Sequence, residues 1–114
     1  SSPQLSCIDL VSFFKTVGGL NRAVTVIQEL LPELNTGSIK KQLQYEVQTA
    51  TIQRLGYILS WCEAPQKLIQ VIENELKNRK TFWIPLLPEK QRTPGNRKNV
   101  QWKVTENTTI ETDL

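Results

Sequence analysis

A change of period near residue 80 constrains this chain more than any other feature. From residue 4 to residue 79 the apolar residues recur three and four positions apart, the spacing that lines one face of an α-helix. Beyond residue 80 the texture turns short, aromatic and β-branched. "TFWIPLL" and "VQWKVTE" read as strands, and the second alternates, with Val100, Trp102 and Val104 on one face and Gln101, Lys103 and Thr105 on the other. The fold class that follows is α+β and mostly α: about five helices, then a small antiparallel β element with strands near 81–87 and 100–106.

The helical part divides at its punctuation. Leu5, Ile8, Leu10, Val11, Phe14 and Val17 mark a first helix over 4–17, which Gly18-Gly19 ends. "LNRAVTVIQELL" is a second, with Asn21 as N-cap and Pro32 as its stop. "ELNTGS" is a turn, after which Ser38 caps a third helix, "IKKQLQYEV". "TATIQRLGYILSWCE" follows, and residues 38–62 read equally well as one bent helix or two. Pro65 suits the first turn of a last helix running to residue 80. In the β element Pro85 demotes the first strand to an edge or a bulge. An isolated hairpin is marginal in water, so this one must pack on the helices or join other strands.

Gly56 breaks an otherwise regular apolar stripe in "TIQRLGYIL". A glycine inside a helix costs roughly 1 kcal/mol relative to alanine. Two explanations fit: another helix, such as residues 5–17, packs closely there, or the gap presents Arg54 or Tyr57 to a partner. Close packing is the better fit, because Ile52, Leu55 and Leu59 already mark this helix as central.

Composition removes several chemistries. The 114 residues include no histidine, so the commonest general base, the commonest zinc ligand and every Ser/His or Cys/His nucleophile pair are gone. The carboxylates Asp9, Glu29, Glu46, Glu63, Glu73 and Glu75 are scattered over different helices, and Glu73 and Glu75, two apart, do not share a face. Gly18-Gly19 before Arg22 places free N–H groups at a helix start, where an anion can bind, yet no GxGxxG or GxxxxGK pattern accompanies them. No enzyme activity, metal or cofactor is expected. Cys7 and Cys62 read as reduced core thiols rather than a disulfide scaffold. Asn107-Thr108-Thr109 fits a glycosylation acceptor, a pattern that chance often produces. No stretch approaches the ~18–20 apolar residues of a membrane span, and the start is no signal peptide, so a cytoplasmic protein without a membrane partner is expected.

Charge is uneven. Residues 1–76 balance at −1, residues 77–103 carry +7, and the last eleven residues carry −3. Within the basic stretch Arg79, Lys80, Arg92, Arg97, Lys98 and Lys103 accompany Trp83 and Trp102. Cations interleaved with aromatics suit nucleic acid, the cations for phosphates and the rings for bases, while an acidic protein would use the same charges. These six are the candidate partner-binding residues. The domain organisation is then a single domain over 1–114: helical 4–79, a β element with its basic loop over 80–107, and an acidic tail over 108–114.

Four stretches taken in order resemble one family. "SSPQLSCIDLVSF", "GGLNRAVTVIQELLPEL", "IQRLGYIL" and "VQWKVTENTTIETDL" resemble, respectively, the entry helix, the following helix, the RLGYLL helix and the closing strand of the C-terminal domain of AbiEi-type antitoxins. Gln4 and Leu5 stand where the family usually carries an acidic-basic pair, whereas Trp102, Asn107, Glu111 and Asp113 follow its closing pattern. The resemblance implies an antitoxin of a type IV toxin–antitoxin (abortive-infection) system. Such a protein counteracts a nucleotidyltransferase-like toxin without an assured stable complex, and regulates its own operon by binding promoter DNA. It also implies an N-terminal winged helix-turn-helix, absent from these 114 residues, so that the chain reads as part of something longer. From the residues alone, the alternative is a stand-alone nucleic-acid-binding module using the basic 79–103 face.

Overall fold

The computed structural model describes residues 2–112; Ser1 of the entry stretch and Asp113 and Leu114 of the acidic tail lie outside them. Five helices, α1 (Pro3–Ser12), α2 (Leu20–Leu30), α3 (Thr36–Leu43), α4 (Thr49–Trp61) and α5 (Gln66–Lys77), precede three short strands, β1 (Ile84–Pro85), β2 (Arg97–Asn99) and β3 (Val104–Glu106). The architecture is a mostly α, α+β fold. Among the described residues no helix is long and apolar enough to cross a membrane.

α4 is the centre of the molecule. Thr51, Ile52, Gln53, Leu55, Gly56, Tyr57, Ile58 and Leu59 are all buried, so the helix is enclosed almost all round. It packs against α1, α5 and β3, while α3 closes on α1 and α5, and α2 rests on α1. Residues 38–62 are therefore two helices, parted by a turn over 44–48.

Several helix boundaries differ from expectation, α3 ending at Leu43 rather than Val47 and α5 at Lys77 rather than residue 80. α1 stops at Ser12 rather than running to Val17. The Ser12 hydroxyl donates to the Ile8 carbonyl at 2.8 Å, and Phe13 leaves helical geometry with φ −132° and ψ 54°. A compact turn carries the chain to Gly18 (φ +96°) and Gly19 (φ +99°), left-handed conformations that favour glycine, and Phe14 and Leu20 on either side enter the core. α2 begins directly after Gly19, so Asn21 is not its cap; the Asn21 Oδ1 instead accepts the Glu111 N–H at 2.8 Å. α3 is capped by Asn35, not Ser38. The Asn35 side chain accepts the Ser38 N–H at 2.9 Å, which starts the helix at Thr36 and lets Ile39 and Leu43 face inward. Pro65 stands at the N-cap of α5, one residue before its first turn.

The β element corrects the expected antiparallel pairing of 81–87 with 100–106. The strand order is β1-β3-β2, and β1 and β3 run parallel, with Ile84 opposite Val104 and Pro85 opposite Thr105. The antiparallel partner of β3 comes from the expected loop: Arg97, Lys98 and Asn99 pair with Glu106, Thr105 and Val104. A local reversal explains this. The Asn99 Oδ1 accepts the Trp102 N–H at 3.0 Å and Lys103 adopts a left-handed φ of +53°, so the chain turns over 100–103. Val100 is consequently thrown out to 76% exposure instead of sharing a strand face with Trp102 and Val104. With the hairpin made locally, the long connection suffices for a parallel return. Pro85 sits on an edge strand as expected. Ile84 and Leu86 on either side of it donate to the Lys103 and Thr105 carbonyls, so the missing N–H falls on the side away from β3.

Gly56 receives the β element, not a helix. A Cβ at this position would lie 2.3 Å from the Trp102 ring, well inside van der Waals contact. Gln53, Gly56 and Ser60 lie three and four apart on one face of α4, and all three meet that residue. The Trp102 Nε1–H donates to the Ser60 Oγ at 2.9 Å, and the Gln53 Nε2 donates to the Trp102 carbonyl at 3.0 Å. The missing side chain makes room for the indole, and the two polar neighbours satisfy its N–H and its carbonyl.

Candidate functional site

The grip that α4 takes on Trp102 also sets the segment before β1. The second proton of the Gln53 amide goes to the Phe82 carbonyl at 2.9 Å, and the Arg54 Nε donates to the Pro85 carbonyl at 2.9 Å. The Trp83 carbonyl accepts the Arg92 Nη1–H at 3.1 Å. The backbone of 82–85 is thus tied at three carbonyls and at the Ile84 N–H. Its two aromatic side chains are nonetheless displayed, Phe82 at 63% and Trp83 at 37% exposure. Each ring carries a cation: Lys80 Nζ lies 5.4 Å from the Phe82 centroid and Lys98 Nζ 5.6 Å from that of Trp83, both within cation–π range.

Position in the sheet decides which cations reach this face. Ile84, Val104 and Asn99 are register partners, and buried Val104 puts that set toward α4. Pro85, Thr105 and Lys98 form the next row, in which Thr105 is also buried while Lys98, on the edge strand, is exposed and reaches the Trp83 ring. Arg97 lies opposite Glu106 on the α4 side.

The loop between β1 and β2 is held rather than loose. Asn107, 3% exposed, accepts the Leu87 N–H at 2.9 Å and donates its amide protons to the Leu87 and Lys90 carbonyls at 2.9 and 2.8 Å. Asn96 accepts the Thr93 N–H at 2.7 Å and closes the Thr93-Pro94-Gly95-Asn96 turn. The Asn107 amide is buried and fully engaged, so the Asn107-Thr108-Thr109 tripeptide offers no accessible acceptor in the folded chain.

Of the six candidate residues, Lys80, Arg92 and Lys98 gather around Phe82 and Trp83. Arg79 does not. Its guanidinium reaches the Leu43 carbonyl at 2.9 Å, the Val47 carbonyl, the Thr49 hydroxyl at 3.4 Å and the Glu75 carboxylate at 2.9 Å. Glu75 forms with it the one ion pair among the described residues. Arg79 caps the carbonyl end of α3 and ties it to α4 and α5, a structural duty. Lys103 is half-buried in the left-handed turn, where its carbonyl serves the sheet. Arg97 acts on the α4 side of the sheet. There the Tyr57 hydroxyl is pushed up to about 12, first by burial and then by the charge and hydrogen bond of Glu106, with Arg97 opposing.

Other polar and reactive groups are spoken for by packing. Burial lowers the Arg54 guanidinium from its ordinary value, and the charge of Glu89 partly offsets that. Cys7 and Cys62 are free thiols. Burial pushes Cys7 up to about 12, with the nearby Cys62 adding to it, and Cys62 up to about 11. Asp9 and Glu46 line a cleft of about 350 Å³ between α1 and the α3–α4 turn, beside exposed Phe13 and Tyr45, and both carboxylates face solvent. Among the described residues no three His, Cys, Asp or Glu side chains are grouped to hold a metal ion.

Phe82 is a candidate that sequence reasoning misses, because Trp83 and Trp102 are the more conspicuous aromatic pair of the basic stretch. Its signal was positional: it stands beside Trp83 and ahead of Ile84-Pro85, where two consecutive bulky rings cannot both turn inward. No protein-family model matches the chain, and no curated protein or solved structure matches it either.

Proposed function

We propose that the chain is the antitoxin domain of a type IV toxin–antitoxin system. It acts in the bacterial cytoplasm without catalytic chemistry of its own, counteracts a nucleotidyltransferase-like toxin, and contributes to autoregulation of its operon. One observation carries the reading. Two of the four stretches that resemble the AbiEi-type family meet in the fold: Gln53 and Gly56, with Ser60 just beyond, hold Trp102, and Asn107 holds the loop that supplies Arg92 and Lys98. Residues that define the resemblance thus build one joint, and that joint displays a cationic, aromatic face to an anionic partner. Binding of promoter DNA falls to a winged helix-turn-helix where one accompanies the domain, which leaves this face for a second anionic partner.

Co-expression with the product of the neighbouring gene tests this. Growth arrest caused by that product should be relieved by the wild-type protein, and relief should fail when Lys80, Arg92 and Lys98 are all changed to Gln. Arrest that persists beside well-expressed wild-type protein overturns the reading. The cation–π pairs favour one second reading, a stand-alone nucleic-acid-binding module. Strong retardation of nucleic acid by the isolated 114 residues supports that alternative.

A further inference from the structure

We infer that the Phe82–Trp83 corner is a stacking platform for unpaired bases, so that the anionic partner of this face is single-stranded nucleic acid. The inference rests on the proposed reading of the face as a contact surface and names what it contacts. Three observations carry it.

The first is unused apolar surface. Phe82 and Trp83 are adjacent and large, and both are displayed, Phe82 most of all. What sets them apart from the other exposed aromatics, Phe13, Tyr45 and Trp61, is that the two are consecutive and each has a cation over its ring. The second is rigidity. The carbonyls of Phe82, Trp83 and Pro85 are bonded to Gln53, Arg92 and Arg54, so little backbone freedom is lost when something stacks on the rings. The third is the placement of charge. Lys80 and Lys98 each stand over a ring, and Arg92 lies behind Trp83. A nucleotide needs this pairing, a π-surface for its base with a cation close by for its phosphate.

The same geometry argues against the other anionic partners. A duplex hides its base faces within the stack, leaving Phe82 and Trp83 with only backbone to meet. None of Lys80, Arg92 and Lys98 sits on a helix that could enter a major groove. An acidic peptide would satisfy the three cations but leave the Phe82 ring exposed. The opposing charges near the face are modest: Glu89 is exposed in the loop, and Glu106 points to the α4 side with Tyr57.

Fluorescence anisotropy with labelled oligo(dT) about twelve nucleotides long tests the inference, with a duplex of equal length and polyglutamate as competitors. The wild-type chain should bind oligo(dT) at least about tenfold more tightly than the duplex, and quenching of tryptophan emission on binding should persist in Trp61→Phe and be lost in Trp83→Phe. Phe82→Ala and Phe82→Leu should each weaken binding by about tenfold with an unchanged salt dependence, Leu keeping the apolar bulk but not the π-face. Lys98→Gln should instead flatten the salt dependence by about one unit of slope. Equal or tighter binding of the duplex, preference for polyglutamate, or Phe82 variants that bind as wild type does while remaining folded by circular dichroism would each overturn the inference. No toxin enters this assay, so its failure leaves the antitoxin reading to the rescue experiment.

Discussion

Trp102 and Trp83 belong to the same small β element, yet one is a key and the other a display. Trp102 is 1% exposed, with its ring against Gly56, its indole N–H on Ser60, its backbone N–H on Asn99 and its carbonyl on Gln53. Trp83 has a fixed backbone and a partly exposed ring, with Lys98 above it. The difference is set by what faces each residue. α4 supplies a gap of indole size with a hydroxyl and an amide at its rim, so burying Trp102 strands no polar group. Trp83 stands just ahead of β1, outside that gap, with Lys98 over its ring. An aromatic residue in a basic segment is therefore buried or displayed according to what the fold sets against it, not according to its neighbours in sequence.

The contrast predicts large stability effects on one side and small ones on the other. Gly56→Leu should be the most damaging, because the first added carbon already overlaps the Trp102 ring; a loss of about 3 kcal/mol or more is expected, read from urea unfolding. Asn107→Leu should follow at about 2–3 kcal/mol, since it strands the Leu87 N–H and the Leu87 and Lys90 carbonyls in a half-buried loop. Native-state hydrogen exchange should then show residues 87–90 opening while α4 stays protected.

Tyr57, on the α4 side of the sheet, gives a pH signature. The folded chain holds the phenol proton up to about 12, whereas an unfolded tyrosine loses it near pH 10, so the unfolded state ionises first as pH rises. Stability is fully present below pH 10 and is lost between pH 10 and about 12. Cys7 and Cys62 act in the same sense from about pH 9, so the comparison is with Tyr57→Phe, whose unfolding midpoint should fall less steeply above pH 10. On the display side Lys80→Gln and Lys98→Gln should each change stability by less than about 0.5 kcal/mol. An effect as large as that of Asn107→Leu would erase the distinction between key and display.

The helices were legible because their apolar period is long and repeated. Leu5, Ile8 and Val11, or Leu68, Ile69 and Ile72, announce a buried face whatever packs on it. The ends were less so, because Ser12, Asn35 and Asn21 take roles that depend on a hydroxyl or amide finding one particular backbone group. The sheet was misread for a similar reason. The alternation of Val100, Trp102 and Val104 is genuine in sequence, but one Asn99 side chain and one left-handed Lys103 convert it into a turn, and pairing then falls to Arg97–Asn99. For the basic face, charge density located the segment but could not tell Arg79, engaged at four groups, from Lys98, which stands over a ring. That distinction depends on where α3 ends relative to α5, a tertiary fact. Gly56 was read correctly as a site of close approach, though its partner came from the far end of the chain.

The seating of Trp102 in the Gly56 gap is the central claim, and a double-mutant cycle measures it. Gly56→Ala alone should destabilise the chain by about 1–3 kcal/mol despite the better helix propensity of alanine. In a Trp102→Leu background the same change should be neutral or stabilising by up to about 1 kcal/mol, because the clash is gone and only the propensity gain remains. Additive costs, with Gly56→Ala equally harmful in both backgrounds, would show that the glycine serves something other than the indole.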